Sequence, residues 1–116
     1  MTTSVRSNTG DGTQTAGWSA GGGNPGVIST TQEFDGISWS NVNPINTARQ
    51  QLAGAGLQTA ALAFGGTPPN TGLTESYNGS SWTATTTMNT ARYGLAGAGT
   101  QTAGLAISGE TGAGNT

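Results

Sequence analysis

The sequence predicts an all-β protein built from repeated four-stranded antiparallel units. Three observations carry that expectation. A block of about 43 residues recurs along the 116-residue chain, and a period in that range marks an array of supersecondary units. Turn pairs containing glycine recur in register with the block, as hairpins demand. No segment shows sustained helical periodicity.

The composition suits such sheets. The chain has 21 Gly and 21 Thr, and with 10 Ser and 9 Asn these small residues exceed half the total. Only 22 residues are Val, Ile, Leu, Met, Phe, Trp or Tyr, a thin core for the single domain that the length predicts. Low apolar content leads to disorder when net charge is high, but here charged residues are 7% and the net charge is −2. Weak charge with abundant Thr, Ala and Gly instead favours sheets whose backbones approach closely.

The same composition excludes chemistry. The chain has no His, Cys or Lys, so imidazole and thiolate catalysis and the usual N/S metal sites are ruled out, and neither metal nor cofactor is expected. Three arginines are too few for a nucleic-acid footprint. No apolar run is long enough for membrane insertion. The opening Met1-Thr-Thr-Ser-Val-Arg-Ser-Asn8 lacks the apolar stretch of a cleavable signal peptide.

The elements follow from the repeat. Asn46-Thr-Ala-Arg49 returns as Asn89-Thr-Ala-Arg92, and Leu52-Ala-Gly-Ala-Gly56 returns as Leu95-Ala-Gly-Ala-Gly99. Gln58-Thr59-Ala60 returns as Gln101-Thr102-Ala103 and is anticipated by Gln14-Thr15-Ala16. Arg6, Arg49 and Arg92 are evenly spaced, which places every arginine at one repeat position. The first strand of a unit, around 50–55, is rich in Gly and Ala. The Gly-X pairs Gly12-Thr13, Gly56-Leu57 and Gly99-Thr100 predict type II′ turns into the second strand. That strand, around 59–64, ends in Gly65-Gly66, matched by Gly21-Gly22 and by Ser108-Gly109.

Proline-bearing loops follow, Gly23-Asn-Pro-Gly26 and Thr67-Pro-Pro-Asn70. The third and fourth strands then flank Asp35-Gly36 and Asn78-Gly79, read as type I′ turns. This geometry sets Tyr77 opposite Ser80 and Trp82 opposite Glu75, and puts Phe34, Ile37 and Trp39 on one face. Phe34, Trp39, Tyr77 and Trp82 are therefore expected as structural core between stacked sheets.

Four antiparallel strands at this period are the signature of a β-propeller blade. An alternating strand ending in Gly-Gly, an aromatic, Trp five residues on and a closing Thr-Ala-Arg together resemble the kelch motif. Gly65-Gly66, Tyr77, Trp82 and Arg92 carry the likeness, as do Gly21-Gly22, Phe34, Trp39 and Arg49. The third copy departs from it, with Ser108 in place of the first glycine. The wording Gly-Thr-Gln-Thr-Ala and Glu-Ser-Tyr-Asn-Gly-Ser-Ser-Trp is similar to kelch-like repeats in predicted virion structural or tail-fibre proteins of aquatic bacteriophages.

In kelch order the innermost strand comes first, giving one blade at about 3–42, a second at about 46–85, a half blade at about 89–109 and a tail at 110–116. Closed propellers need about four to eight blades. Closure is therefore expected from homo-oligomerisation or from a longer chain.

Five residues are ligand candidates. Arg6, Arg49 and Arg92 precede the innermost strands and would grip carboxylate or sulfate on a glycan; the alternative is that each bonds scaffold carbonyls or a carboxylate such as Glu75. Trp18 and Tyr93 are aromatics that break the repeat, and so are better sugar platforms than the recurrent ones. The acids Asp11, Glu33, Asp35, Glu75 and Glu110 offer no pair suited to glycoside hydrolysis, so no catalytic residue is expected. Two functions remain. One is a non-enzymatic structural or adhesive module of an extracellular assembly, a virion component serving host attachment and contacting other virion proteins. The other is a carbohydrate-binding propeller that takes cell-surface glycans.

Overall fold

A computed structural model describes residues 6–23, 26–68 and 70–111. The described residues form ten strands and no helix. Strands β1 (Thr9–Thr13), β2 (Ala16–Ala20), β3 (Thr31–Phe34) and β4 (Trp39–Val42) make one antiparallel sheet in sequential order. Strands β5 (Ala53–Leu57), β6 (Ala60–Phe64), β7 (Thr74–Tyr77) and β8 (Trp82–Ala84) repeat it, and β9 (Ala96–Gly99) pairs with β10 (Gly104–Ile107) as a two-stranded sheet. The end of the predicted tail, 112–116, and residues Asn24, Pro25 and Pro69 of the two loops lie outside the described residues.

The first turns differ from expectation. Gly12-Thr13 and Gly56-Leu57 lie inside β1 and β5, paired with Gly17-Ala16 and Ala61-Ala60. The turns fall two residues later, at Gln14-Thr15 and Gln58-Thr59, and in the third unit at Gln101-Thr102, which Thr100 and Ala103 flank with reciprocal backbone bonds. The glycines answer a different need. Gly56 sits at φ 101°, and a Cβ there would drive into the Ala60 carbonyl of the partner strand, so only glycine fits.

The second turns are also not type I′. That type needs φ > 0 at both central residues, whereas in each pair only Gly36 (97°) and Gly79 (95°) are positive. Asp35 and Asn78 serve through their side chains. Asp35 Oδ1 accepts the N–H groups of Ile37 and Ser38, each at 2.9 Å, and Asn78 Oδ1 accepts those of Ser80 and Ser81. The turn therefore moves one residue on and the register shifts with it. Tyr77 lies opposite Trp82, not Ser80, while Glu75 lies opposite Ala84, and Phe34 lies opposite Trp39. Ile37 belongs to the turn and is 90% exposed.

The sheets stack face to face. β6 shows why: Ala61 and Ala63 join the cluster shared with Trp18, Ala20, Ile45, Leu52, Tyr77 and Trp82, whereas Phe64 and Leu62 join Ala53, Ala55, Met88 and Leu95 toward the third sheet. The first strands β1, β5 and β9 lie side by side across the stack. Their small residues admit the large ones of the neighbouring sheet, since a Cβ at Gly54 would meet the Trp18 ring and one at Gly97 the Phe64 ring. A ladder runs along this edge: Gln51 N–H donates to the Ser7 carbonyl at 2.7 Å and Gly94 N–H to that of Gln51 at 2.8 Å.

The expectation of an aromatic core in every unit holds for Tyr77 and Trp82 and fails for Phe34 and Trp39. Tyr77 and Trp82 are 1% and 5% exposed. Phe34 and Trp39 are only partly buried, stack on each other at 5.3 Å, and belong to neither cluster. They sit where Tyr77 and Trp82 sit in the second sheet, but among the described residues no sheet lies before the first one to cover them.

Candidate functional site

The residues expected to bind a ligand separate into three situations. Arg49 is 1% exposed. Its Nη1 donates to the carbonyls of Gly65 and Leu73, and its Nη2 to the Ala63 carbonyl and to Glu75 Oε2 at 3.1 Å. Burial lowers its pKa from the ordinary arginine value, partly offset by the Glu75 carboxylate. The other oxygen of Glu75 accepts the Asn46 N–H at 2.7 Å. This is the scaffold alternative, and Arg49 is not open to a ligand.

Arg49 also explains the Gly-Gly signature through its main chain. Its carbonyl accepts the Gly22 N–H at 2.8 Å, and a Cβ on Gly21 would sit 2.7 Å from the same oxygen. Gly65 and Gly66 relate to Arg92 in the same way, with Gly66 N–H on the Arg92 carbonyl at 2.8 Å. The first two units thus each end their second strand on the arginine carbonyl of the next.

Arg6 is out of phase with the other two arginines. The bridges Arg6↔Gly23, Gln50↔Thr67 and Tyr93↔Glu110 align Arg6 with Gln50 and Tyr93. The cause is a loop one residue longer in the first unit, where Ile28 N–H reaches the Gly22 carbonyl and Thr71 N–H reaches that of Gly66. The equal spacing of the three arginines is therefore not structural equivalence. Arg6 is exposed, and Arg92 is partly buried with its Nη1 on the Ser108 carbonyl at 2.9 Å.

Of the two aromatic candidates, Trp18 is a correction. It is 2% exposed, packs edge-on to Trp82 at 5.8 Å, and donates its indole N–H to the Gly56 carbonyl at 3.2 Å. A ring held in this way is an inter-sheet joint. Tyr93 is partly buried, and its hydroxyl donates to Glu110 Oε2 at 2.9 Å, a bond that raises its pKa.

Other joints were not assigned roles by the sequence reading. Gln58 Nε2 donates to the carbonyls of Gly17 and Phe34, so the turn of the second sheet closes the ends of β2 and β3 in the first. Gln101 repeats this on Ala61 and Tyr77. The recurrence of Gln-Thr-Ala at each turn was the available signal. Asp11 Oδ2 accepts the Gly56 N–H, the Tyr77 hydroxyl donates to Glu33 Oε1 at 2.8 Å, and Trp82 donates to Thr31 Oγ1 at 3.1 Å. Burial and the Glu33 carboxylate push the Tyr77 pKa well up.

The open surface lies around the third sheet. Leu105 and Ile107 on β10 are 61% and 47% exposed. Between the second and third sheets is a cleft of about 130 Å³ lined by Leu62, Phe64, Thr74, Met88, Gly104 and Ala106. A second cleft of about 300 Å³ is lined by Met88, Asn89, Thr90, Arg92 and Ala106. Among the described residues no group of three His, Cys, Asp or Glu side chains could hold a metal, and no helix is long and apolar enough to cross a membrane.

Comparison with known proteins adds a fold relationship. No protein-family model matches the sequence, and no curated protein matches it. Among solved structures the chain is similar to one described as "Structure of YjhT", at 14% identity and a TM-score of 0.79, over 95% of this chain. The match spans 40% of that longer chain. At this identity the likeness concerns the fold alone.

Proposed function

We propose that the chain is a non-enzymatic structural or adhesive module of an extracellular assembly, a component of a bacteriophage virion, built from kelch-type propeller blades. One observation carries this reading. The recurrent polar side chains are spent on joining sheets: Gln58 and Gln101 each close the strand ends of the preceding sheet, and Arg49 locks β6 and β7 beneath its own main-chain contact with the first sheet. Identity between units then serves stacking, and the differing loops at 23–30 and 67–73 are left to meet partners.

Closed propellers need about four to eight blades, and the described residues supply two four-stranded sheets and one two-stranded sheet. Further units of the same kind, from other copies or from a longer chain, would complete a ring. Light scattering on the chain tests this, with a discrete oligomer as the expected mass. A folded monomer would overturn self-closure. A glycan array read alongside separates the lectin reading, whose remaining candidates are Arg6, Arg92 and Tyr93; saturable binding lost in Tyr93→Ala would favour it.

A further inference from the structure

Asn78 is the one asparagine of the chain that is followed by glycine. It stands exposed in the turn between β7 and β8, as do Ser80 and Ser81. Its Oδ1 accepts the N–H groups of Ser80 and Ser81, each at 2.9 Å. Among the described residues its Nδ2 and the Gly79 N–H meet no protein acceptor. Gly79 lies at φ 95°, and a Cβ placed on it would come no nearer than 3.6 Å to its closest neighbour, Thr59. The Asn78 amide therefore combines a polarised oxygen, a leaving group with no hold on the protein and an uncrowded glycine next in the chain.

This is the arrangement that ring closure onto the side-chain amide requires. Attack of the Gly79 nitrogen on Asn78 Cγ raises negative charge on Oδ1. Hydrogen-bond donors already aimed at an oxygen where charge develops lower the barrier to such a step. Here Ser80 and Ser81 supply two of them from the main chain.

We propose that Asn78 is a self-modifying site, at which the turn closes a succinimide across residues 78 and 79 and water reopens it to an acid. The Gly79 nitrogen bonds to Asn78 Cγ and loses its proton to solvent base. The Cγ–Nδ2 bond breaks, and Nδ2 takes up a proton and leaves as ammonia. Water then adds to one of the two ring carbonyls. Addition at Cγ breaks the new Cγ–N bond and leaves an aspartyl side chain on an intact main chain. Addition at the main-chain carbonyl breaks the original peptide bond, so that the chain runs on through Cβ and Cγ as an isoaspartyl link, one atom longer. Amide and water give carboxylate and ammonium, and no other reactant is consumed.

The first sheet shows that the aspartyl product fits. Asp35-Gly36 occupies the same turn, and Asp35 Oδ1 accepts the N–H groups of Ile37 and Ser38 at 2.9 Å each. The register is also shared, with Phe34 opposite Trp39 as Tyr77 is opposite Trp82. The aspartyl form thus keeps its hairpin and adds one negative charge to the net −2. The isoaspartyl form does not fit. Asn43 Nδ2 holds the Ser80 carbonyl at 2.6 Å and Asn46 Nδ2 the Trp82 carbonyl at 3.0 Å, so an extra chain atom between these anchors and β7 displaces Trp82 from Tyr77. One product is silent in the fold, and the other loosens the joint between the first two sheets. The inference is independent of the scaffold reading.

The test is incubation of the folded 116-residue chain in mildly alkaline buffer made with heavy-oxygen water, beside a synthetic peptide of residues 73–85. Peptide mapping by mass spectrometry and an ammonia assay follow the reaction. The expected result is replacement of the amide by one labelled oxygen at residue 78 before any other asparagine, with both aspartyl and isoaspartyl products. The rate in the folded chain should at least equal that in the peptide. A slower rate in the folded chain would overturn the proposal, because the turn would then shield the amide. An aspartyl product alone would overturn it too, since direct hydrolysis needs no ring. Asn78→Asp should abolish the early ammonia release and melt with the unmodified chain at neutral pH. Release that persists in this variant would place the reaction elsewhere, and a clear fall in its melting temperature would overturn the fit of the aspartyl product.

Discussion

Arg49 meets Glu75 at 3.1 Å with both side chains out of solvent, and the pair pins β7 to the segment that enters the second sheet. Removing one member leaves the other charge buried, which costs roughly 3–5 kcal/mol. Arg49→Ala should lower stability by that amount in urea unfolding. Arg92→Ala, at a more open position, should cost about 1 kcal/mol or less. Glu75→Gln should fall between them, because Gln32 holds the equivalent place in the first sheet.

The two tryptophans of the outer hairpins should respond unequally. Trp82→Ala empties a packed site and loses the Thr31 bond, at roughly 3–5 kcal/mol. Trp39→Ala should cost under about half of that, since the transfer term follows the area removed from water. Paired thermal melts of the two variants check the ratio. Equal losses would mean that another surface covers Trp39 in solution.

Asp35 gives a pH dependence whose sign is fixed. Backbone N–H donors from Ser38 and Ile37 lower its pKa below 3.8 in the folded chain. The turn therefore has its full stability above the unfolded value and loses it as pH falls through the lower folded value. Asp35→Asn should keep the turn, because Asn78 makes the same two bonds with a neutral amide. The difference between wild type and variant in melts below pH 4, about the range of an unperturbed carboxyl, isolates this group from the other acids.

The turn glutamines should sort by what lies before them. Gln58→Ala and Gln101→Ala each remove two bonds to carbonyls of the preceding sheet, about 1 kcal/mol per bond. Gln14 is exposed at the first turn, and Gln14→Ala should stay within about 0.5 kcal/mol. Should Gln14→Ala prove as costly as the others, a further sheet must lie before the first.

Strand order and the number of sheets were legible because an imperfect repeat exposes its own period. Local registers were less so. Asp35-Gly36 and Asn78-Gly79 are read as type I′ turns by their composition, yet side-chain acceptance by Asp35 and Asn78 competes with that conformation and moves the turn by one residue. Gly12 and Gly56 looked like turn residues because glycine at positive φ serves a turn and a close strand approach alike. At the candidate site, Trp18 reads as a sugar platform because it breaks the repeat. Its partner Gly54, which makes room for the ring, lies in another unit, so only the stacked sheets bring the two together. The phase of Arg6 failed for a smaller reason, one extra residue between Gly22 and Ile28.

The ladder from Gly94 through Gln51 to Ser7 has a direction: at each rung the later unit donates and the earlier accepts. A contact of this kind has two unlike sides, so two chains that extend it cannot be related by a two-fold axis through the joint. Copies added by the same rule turn by the same angle each time. Where that angle divides a full rotation the array ends on itself with cyclic symmetry, and where it does not the array continues as a fibre. In any such array the order of the members is written in which residue of a rung gives the hydrogen.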